Sequence, residues 1–293
     1  LIEVRTDNDW KYREKASNSM FQWNNNNFNS NYGGLPKNVW LHITDKVYQT
    51  LPLYSNLKTT GTYIYAKEFD IQGHAATICV ETQVKNDTDQ PVKRSLKVNV
   101  AEMDGKTVCA FEGAEVMIPA FGTATLKAEG RAFGLHFWSW GYGYLYNVTT
   151  SIDNDDVVTT TGFRKAEFRN GMIYLNDRVM MVHGYAQRTS NEWPGVGMSV
   201  PAWLSDYSND LQVKSGGNVV RWMHVTPWRQ DVESCDRVGL IQAMPAGDAE
   251  KDVEGRRWEQ REELMRDAII YFRNNPSILF YECGNQKISK DHM

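Results

Sequence analysis

The chain has 293 residues, enough for two or three domains, and its 41% hydrophobic and 12% aromatic residues supply apolar surface for sizeable cores, which excludes global disorder. The formal net charge of −4 argues against nucleic acid as a partner, because proteins that bind duplexes are usually basic. The sequence contains no run of about 18 apolar residues, so no membrane span is predicted. The four cysteines are expected to be buried free thiols, with a Cys79–Cys109 disulfide as the alternative.

The first 170 residues are predicted to form short strands. Apolar residues alternate in runs such as Ile78–Val84, the pattern of a strand with one buried face. Asp104-Gly105 and Asn170-Gly171 lie between such runs and predict hairpin turns, because these residues tolerate positive φ. Short strands at this spacing favour a β-sandwich. Earlier in the chain, Val39–Ile43 reads as a strand of a separate β-layer that ends near residue 45.

From about residue 178, strands and helices are predicted to alternate. The predicted strands are Arg178–His183, one opening at Val219-Val220, Leu240–Met244 and Ser277–Cys283. The predicted helices carry Leu204, Tyr207 and Leu211 on one face, then Val232, Cys235 and Val238, then Trp258 to Phe272, before Asn274-Asn275-Pro276 ends the last helix.

This order implies a parallel sheet with right-handed crossovers. A doubly wound sheet and a (β/α)₈ barrel both fit four strands. A complete barrel takes about 250 residues. Because only residues 178–293 remain, a barrel would be about half present.

Polar, aromatic and ionisable residues follow each predicted strand. These strand ends are His183-Gly184-Tyr185, Arg221 to His224, Met244 to Asp248, and Glu282 to Gln286. Ligands bind at the carboxyl ends of the strands in both parallel architectures. The four ends together therefore predict one site.

Several of these segments resemble glycoside hydrolase family 2, which includes β-galactosidases, β-glucuronidases and β-mannosidases. The resemblance rests on order and spacing in Gly162–Asn176, Asn218-x-x-Arg221-x-x-His224, Cys235–Leu240, and Arg273–Ile278 with Gly284-Asn285. Residues 1–7 and 32–45 resemble the closing strands of the family's N-terminal jelly roll. The resemblance implies that residues 1–46 end a jelly-roll sugar-binding domain, 47–155 form an immunoglobulin-like sandwich, and 156–293 form the first half of a TIM-barrel catalytic domain.

The resemblance implies a retaining, exo-acting glycosidase of the β-galactosidase type that removes terminal β-linked sugars and needs no cofactor. One glutamic acid protonates the glycosidic oxygen while a second glutamate attacks the anomeric carbon. The resemblance implies that Asn285 hydrogen-bonds the sugar 2-hydroxyl and that Arg221 and His224 lie in the sugar-binding subsite. Trp222 and Trp228 flank this strand end and are candidate stacking platforms. No structural metal is predicted.

The residue at the position of the catalytic acid is Gln286, whose amide has no proton to give near neutral pH. Three explanations remain open. Gln286 is an engineered replacement of glutamate, or it is natural and Glu282 or another residue is the acid, or the protein binds sugar without cleaving it. Four strand residues span about 13 Å, so Glu282 reaches the acid's place only if its strand ends or bends earlier than predicted.

The family's nucleophile lies beyond Met293, so this chain is expected to be an inactive fragment. The substrate is expected to be a β-galactoside, and departures from the lactose-cleaving pattern at His224–Pro227 and Glu282–Asn285 favour an oligomer of an algal galactan. A periplasmic or secreted location is expected, and a homo-oligomer is left open. The alternatives are a carbohydrate-binding protein derived from this fold, and a structural sandwich joined to an unrelated parallel-sheet domain.

Overall fold

The computed structural model describes residues 1–7, 34–35, 37–187, 199–224, 226–247 and 250–293. The first elements are the strands β1 (Val47–Gln49), β2 (Thr62–Asp70), β3 (Ala75–Asn86), β4 (Val92–Arg94), β5 (Lys97–Glu102), β6 (Thr107–Glu112), β7 (Val116–Ile118), β8 (Thr123–Phe133), β9 (Tyr146–Ile152) and β10 (Asp155–Thr161), with a short helix α1 (Tyr54–Leu57). Next come β11 (Ala166–Arg169), β12 (Met172–Leu175) and β13 (Arg178–Met180). The last part contains β14 (Gly184–Gln187), α2 (Ala202–Lys214), β15 (Val219–Trp222), α3 (Arg229–Val238), β16 (Ile241–Pro245), α4 (Arg256–Phe272), β17 (Ile278–Glu282) and a 3₁₀ turn at Lys290–His292.

Two antiparallel sheets form a sandwich around one core. Strand β3 pairs with β1 and β2 on one side and with β8 on the other, and the second sheet has the order β10-β9-β5-β6. Every second residue of β9 is buried, as the period of two predicts. The buried cluster takes Ile78 and Leu126 from one sheet and Val100 and Val148 from the other. The predicted sandwich-like, predominantly β fold is confirmed.

The hairpin turns lie where the sequence predicts them. Strands β5 and β6 are joined through Gly105, at φ +92°, and β11 and β12 through Asn170 and Gly171, at φ +53° and +71°. Asn176 and Asp177 also have positive φ and return the chain into β13, antiparallel to β12. The prediction of Arg178–His183 as the first parallel strand is therefore wrong.

A four-stranded parallel sheet follows, in the order β14-β15-β16-β17. Helices α2, α3 and α4 connect successive strands, which confirms the predicted alternation. The carboxyl ends of all four strands share one edge of the sheet. His183 and Tyr185 lie at the beginning of β14 instead, and the residues that follow its carboxyl end, 188–198, fall outside the described residues.

The buried face of α2 is polar, which differs from the prediction. Tyr207 and Leu211 are exposed, whereas Ser205, Asn209 and Gln212 are buried. Ser205 Oγ donates to Asp231 at 2.9 Å, and Asn209 Nδ2 donates to Ser234 Oγ at 2.9 Å. Helix α2 therefore packs on α3 through hydrogen bonds rather than through its apolar stripe.

The sandwich and the parallel sheet are joined by direct contacts. The indole of Trp138 is fully buried and donates to the carbonyl of Asp236 in α3 at 2.8 Å. Asn274, after α4, accepts from the amide of Ile64 at 2.8 Å and donates to the carbonyl of Thr62 at 2.9 Å. At Gly143 a Cβ would lie 2.0 Å from the carbonyl oxygen of Arg237, so the two backbones meet without room for a side chain.

The described residues before β1 do not form the predicted strand. Val39–Ile43 has no strand geometry, and Val39 and Ile43 are 70% and 86% exposed. This prediction is wrong for the chain as described.

The cysteine and membrane predictions are tested by the described residues. All four cysteines are free, which confirms the predicted free thiols and excludes the Cys79–Cys109 disulfide, but only Cys79 and Cys235 are buried. Among the described residues, no helix is both long and apolar enough to span a bilayer.

Candidate active site

Arg221 and Glu282 meet at the carboxyl edge of the parallel sheet. Strand register pairs Arg221 with Ala243, and Glu282 with Pro245 two residues further on, so both side chains emerge on the same face. Arg221 Nε donates to Glu282 Oε2 at 2.8 Å, and Nη2 donates to Oε1. This fork-like contact, chiefly its hydrogen bonding, raises the pKa of Arg221. The guanidinium is therefore held in one orientation.

Asn285 extends this pair toward a second carboxylate. Its Oδ1 accepts from Arg221 Nη2 at 3.0 Å, while its Nδ2 lies 3.3 and 3.4 Å from the two carboxylate oxygens of Glu250. Its backbone amide donates to the carbonyl of Glu250 at 3.1 Å. Asn285 thus bridges the arginine of β15 and the loop that follows β16.

Glu250 is the centre of the second half of the site. Its Oε2 lies 3.2 Å from His224 Nε2, and its Oε1 accepts from Gln286 Nε2 at 2.8 Å. The side chains of Glu250 and His224 are only 16% and 5% exposed. Glu250 does not lie on an exposed acidic loop, because the loop that carries it folds back along residues 285–286. Asp248, which the sequence groups with it, lies outside the described residues.

The backbone at His224 directs its ring toward Glu250. His224 follows β15 in a left-handed conformation, φ +62°, and its amide donates to the carbonyl of Trp222 at 3.0 Å. Such a conformation costs a residue other than glycine about 1–3 kcal/mol and persists where surrounding contacts hold it. The chain therefore turns sharply at the end of this strand to present an imidazole.

Gln286 and Glu282 occupy different parts of the site. Strand β17 ends at Glu282, one residue earlier than predicted, and Glu282 is bound to Arg221. Gln286 lies beyond the strand, and its backbone amide donates to the carbonyl of Glu250 at 2.8 Å. Its side-chain amide serves as a donor to a carboxylate, which is consistent with a residue that has no acid proton to transfer.

The two candidate tryptophans lie elsewhere. Trp222 is fully buried against Cys235 and Leu240, and its Nε1 donates to Gln242 Oε1 at 2.7 Å. Successive strand residues point to opposite faces, so Trp222 faces the helices and cannot stack on a sugar, which corrects that expectation. Trp228 is half-buried before α3, with Lys37 Nζ 6.0 Å from its ring centroid; its role as a platform stays a prediction.

One supporting residue carries no sequence signal. Arg261 of α4 is 3% exposed and donates from Nη2 to the carbonyl of Lys251 at 2.8 Å and from Nη1 to that of Cys283 at 3.3 Å. It thereby ties the loop after β16 to the loop after β17. In the sequence it is an ordinary arginine of an amphipathic helix.

Within the described part of the chain, no group of three or more His, Cys, Asp or Glu side chains is arranged to hold a metal ion. The site instead offers a guanidinium, an imidazole, two amides and two carboxylates. These are donors and acceptors suited to the hydroxyl groups of a sugar, together with acid–base groups. The fold and the site define the class: a β-sandwich joined to a parallel β/α unit, with polar catalytic-type residues at its strand ends.

Comparison with known proteins gives the family. Residues 62–164 match the model of glycosyl hydrolases family 2. A β-glucuronidase of Formosa agariphila is 32% identical over the whole chain, and a β-galactosidase of Thermoanaerobacterium thermosulfurigenes is 24% identical over 85% of it. A solved family 2 β-glucuronidase structure aligns with 98% of the chain at 31% identity and a TM-score of 0.87. The predicted resemblance to glycoside hydrolase family 2 is confirmed.

The match covers only part of these enzymes. The chain spans 30% of the Formosa enzyme, 34% of the Thermoanaerobacterium enzyme and 30% of the solved β-glucuronidase chain.

Proposed function

We propose that this chain carries the sugar-binding part of the active site of a retaining, exo-acting glycosidase that removes terminal β-linked sugars from oligosaccharides. One observation carries the proposal: Arg221, His224 and Asn285, from two different strand ends, join a single hydrogen-bonded network with Glu250 and Glu282. A structural module with no ligand would have no need to gather these groups at one edge of the sheet.

Each residue has a role that follows from its contacts. Asn285 is oriented from both sides, which leaves its amide placed to recognise a sugar hydroxyl, in this proposal the 2-hydroxyl. Arg221, fixed by Glu282, positions Asn285 and shapes the subsite. His224, held by Glu250, contacts the sugar ring from the end of β15. Positioning of this kind lowers the barrier because the reacting groups no longer have to be brought together.

The sugar is proposed to be a β-galactoside, with an algal galactan oligomer as the natural source. The described cluster contains two carboxylates and one guanidinium, so a neutral sugar meets no added repulsion there, whereas a uronic acid brings a third negative charge. A β-glucuronide is the second candidate, because the relative that is 32% identical is named a β-glucuronidase.

The remaining architecture is also proposed. The four parallel strands are the first half of a (β/α)₈ barrel over residues 156–293, preceded by an immunoglobulin-like sandwich over 47–155. Residues 1–46 end a jelly roll whose other strands would cover the exposed side chains of Val39, Trp40 and Ile43. The nucleophile lies beyond Met293, in a longer polypeptide, which fits the 30% share of the relatives that the chain spans. Acting on polysaccharide-derived oligomers, the enzyme would be periplasmic or secreted.

The test uses the full-length polypeptide with p-nitrophenyl β-galactoside and p-nitrophenyl β-glucuronide. We expect turnover of one of them, with retention of the anomeric configuration detected by NMR of the first-formed product. Sugar binding without turnover, persisting in Gln286→Glu, would establish the carbohydrate-binding alternative. Inversion would contradict the retaining mechanism.

A further inference from the structure

We propose that Glu250 is the general acid and base of this active site, in place of a residue at position 286. The inference rests on the glycosidase function proposed above. It assigns the proton transfer to a residue on the loop after β16, whereas the family pattern places it after β17.

The first argument is the position of the carboxyl group. The family's acid would stand at residue 286, and Glu250 Oε1 lies 2.8 Å from the side-chain nitrogen of Gln286. A carboxyl group is therefore present within one hydrogen bond of the place where the family's proton donor belongs. Because both backbone amides of Asn285 and Gln286 donate to the carbonyl of Glu250, this distance is held by the backbone and not by flexible side chains alone.

The second argument concerns the other carboxylate. Both oxygens of Glu282 accept hydrogen bonds from Arg221, so this carboxylate is the direct ion-pair partner of the guanidinium. Glu250 is surrounded by two neutral amides and by His224, whose Nε2 is 3.2 Å from Oε2. The imidazole is therefore within hydrogen-bonding distance of the carboxyl group.

The third argument is that hydrogen bonds from Arg261 hold the backbone next to Glu250 in place. Arg261 binds the carbonyl of Lys251, the next residue, and also that of Cys283. The carboxyl group is thus fixed relative to both strand ends, as proton transfer to a bound substrate requires.

Two carboxyl groups, Glu250 and the nucleophile, account for every proton and electron pair in the cleavage of the glycosidic bond. Protonated Glu250 gives its proton to the glycosidic oxygen as the bond from that oxygen to the anomeric carbon breaks, and the electron pair leaves with the released alcohol. The nucleophilic carboxylate of the longer polypeptide forms an ester with the anomeric carbon. Ionised Glu250 then takes a proton from water, whose oxygen attacks that carbon and releases the nucleophile.

The experiment compares two substrates in the full-length enzyme: the aryl glycoside of the sugar cleaved above with a phenol leaving group, and the same glycoside with dinitrophenol. Dinitrophenolate leaves without protonation. For Glu250→Gln, kcat/KM on the phenyl glycoside should fall about 10²–10⁴-fold. On the dinitrophenyl glycoside kcat/KM should be nearly unchanged, and added azide should raise kcat and yield the glycosyl azide. Glu254→Gln, an exposed glutamate on the same loop, is the matched control.

Two further variants make the assignment exclusive. Gln286→Glu in the Glu250→Gln background should restore phenyl glycoside cleavage, because it returns a carboxyl group to the adjacent position. Equal losses on both substrates in Glu250→Gln would overturn the proposal, as would the leaving-group and azide signature appearing in Glu282→Gln instead. If the unaltered enzyme cleaves neither substrate, the glycosidase function itself fails, which is a different result.

Discussion

Arg221 has two partners, Glu282 and Asn285, and its planar fork allows it to bind both. The sequence identified these three residues because they belong to a spaced motif. It did not identify Glu250 or Arg261, since their roles depend on how two loops fold against each other. It misplaced Trp222 because a tryptophan beside a motif gives no indication of which face of the strand it occupies.

Arg221→Lys should weaken sugar binding while keeping the positive charge. Lysine cannot contact Glu282 through two nitrogens and also reach Asn285, so the amide loses its fixed orientation. Loss of one hydrogen bond to a charged group costs about 1.5–3 kcal/mol, or about 10- to 100-fold in affinity. The measurement is the dissociation constant of the monosaccharide by calorimetry.

Arg237→Lys is the control, because Arg237 pairs with Asp206 at the same side-chain exposure, 38%, away from the site. Equal affinity in the two variants would contradict a positioning role for Arg221.

Asp236 should make stability depend on pH. It is buried in α3, accepts hydrogen bonds from Ser277 and Asn275, and burial raises its pKa to about 7 from an ordinary 3.8. The folded state therefore keeps a proton that the unfolded state has released, and the free energy of unfolding should fall as pH rises from about 4 to about 7. The contribution is at most about 1.4 kcal/mol per pH unit.

Urea unfolding of Asp236→Asn and of the unaltered chain across this pH range tests the effect. The variant should show a shallower slope, although not a flat one, because burial also raises the pKa of Asp231, to about 6. Identical slopes would show that Asp236 does not titrate in this window.

Helix α2 was predicted correctly as a helix, but the face that it buries was not. The helix itself follows from the sequence, and so do the turns at Asp104-Gly105 and Asn170-Gly171, because both depend on neighbouring residues. The buried face of α2 depends on polar partners in α3, such as Asp231 and Ser234, which hydrophobic periodicity does not detect.

Asn209→Ala should destabilise the chain by about 1–3 kcal/mol, because it leaves Ser234 without its buried partner. Tyr207→Ala, on the exposed face of the same helix, should change stability by less than about 0.5 kcal/mol. Urea titrations of the two variants give the comparison. A larger loss for Tyr207→Ala would mean that the apolar stripe, rather than the polar face, packs in solution.

The sandwich and the parallel sheet depend on each other through a few polar contacts. The division into a β part and an α/β part was predictable, because the hydrophobic period changes from one to the other. Their contact was not, since it joins residues as distant in sequence as Ile64 and Asn274 and brings backbone against backbone at Gly143. The boundaries at 46 and 155 stay predictions.

Asn274→Ala should loosen this contact. It removes a donor and an acceptor that satisfy the backbone of β2, at a cost of about 1–3 kcal/mol. Scanning calorimetry should show a lower melting temperature and a broader or divided transition. Asn99→Ala, at a half-buried position within the sandwich, should keep a single transition. A single transition in Asn274→Ala at the unaltered temperature would show that the two parts are held by other contacts.

The parallel sheet ends, among the described residues, at β14 on one side and β17 on the other. Most of β14 is exposed to solvent, whereas the outer side of β17 is partly covered, because Arg164 donates to the backbone carbonyl of Ile278. An unpaired strand edge of this kind can form backbone hydrogen bonds with a strand of another chain. The chain is therefore expected to associate with its own copies through β14, which size-exclusion chromatography at increasing protein concentration would detect.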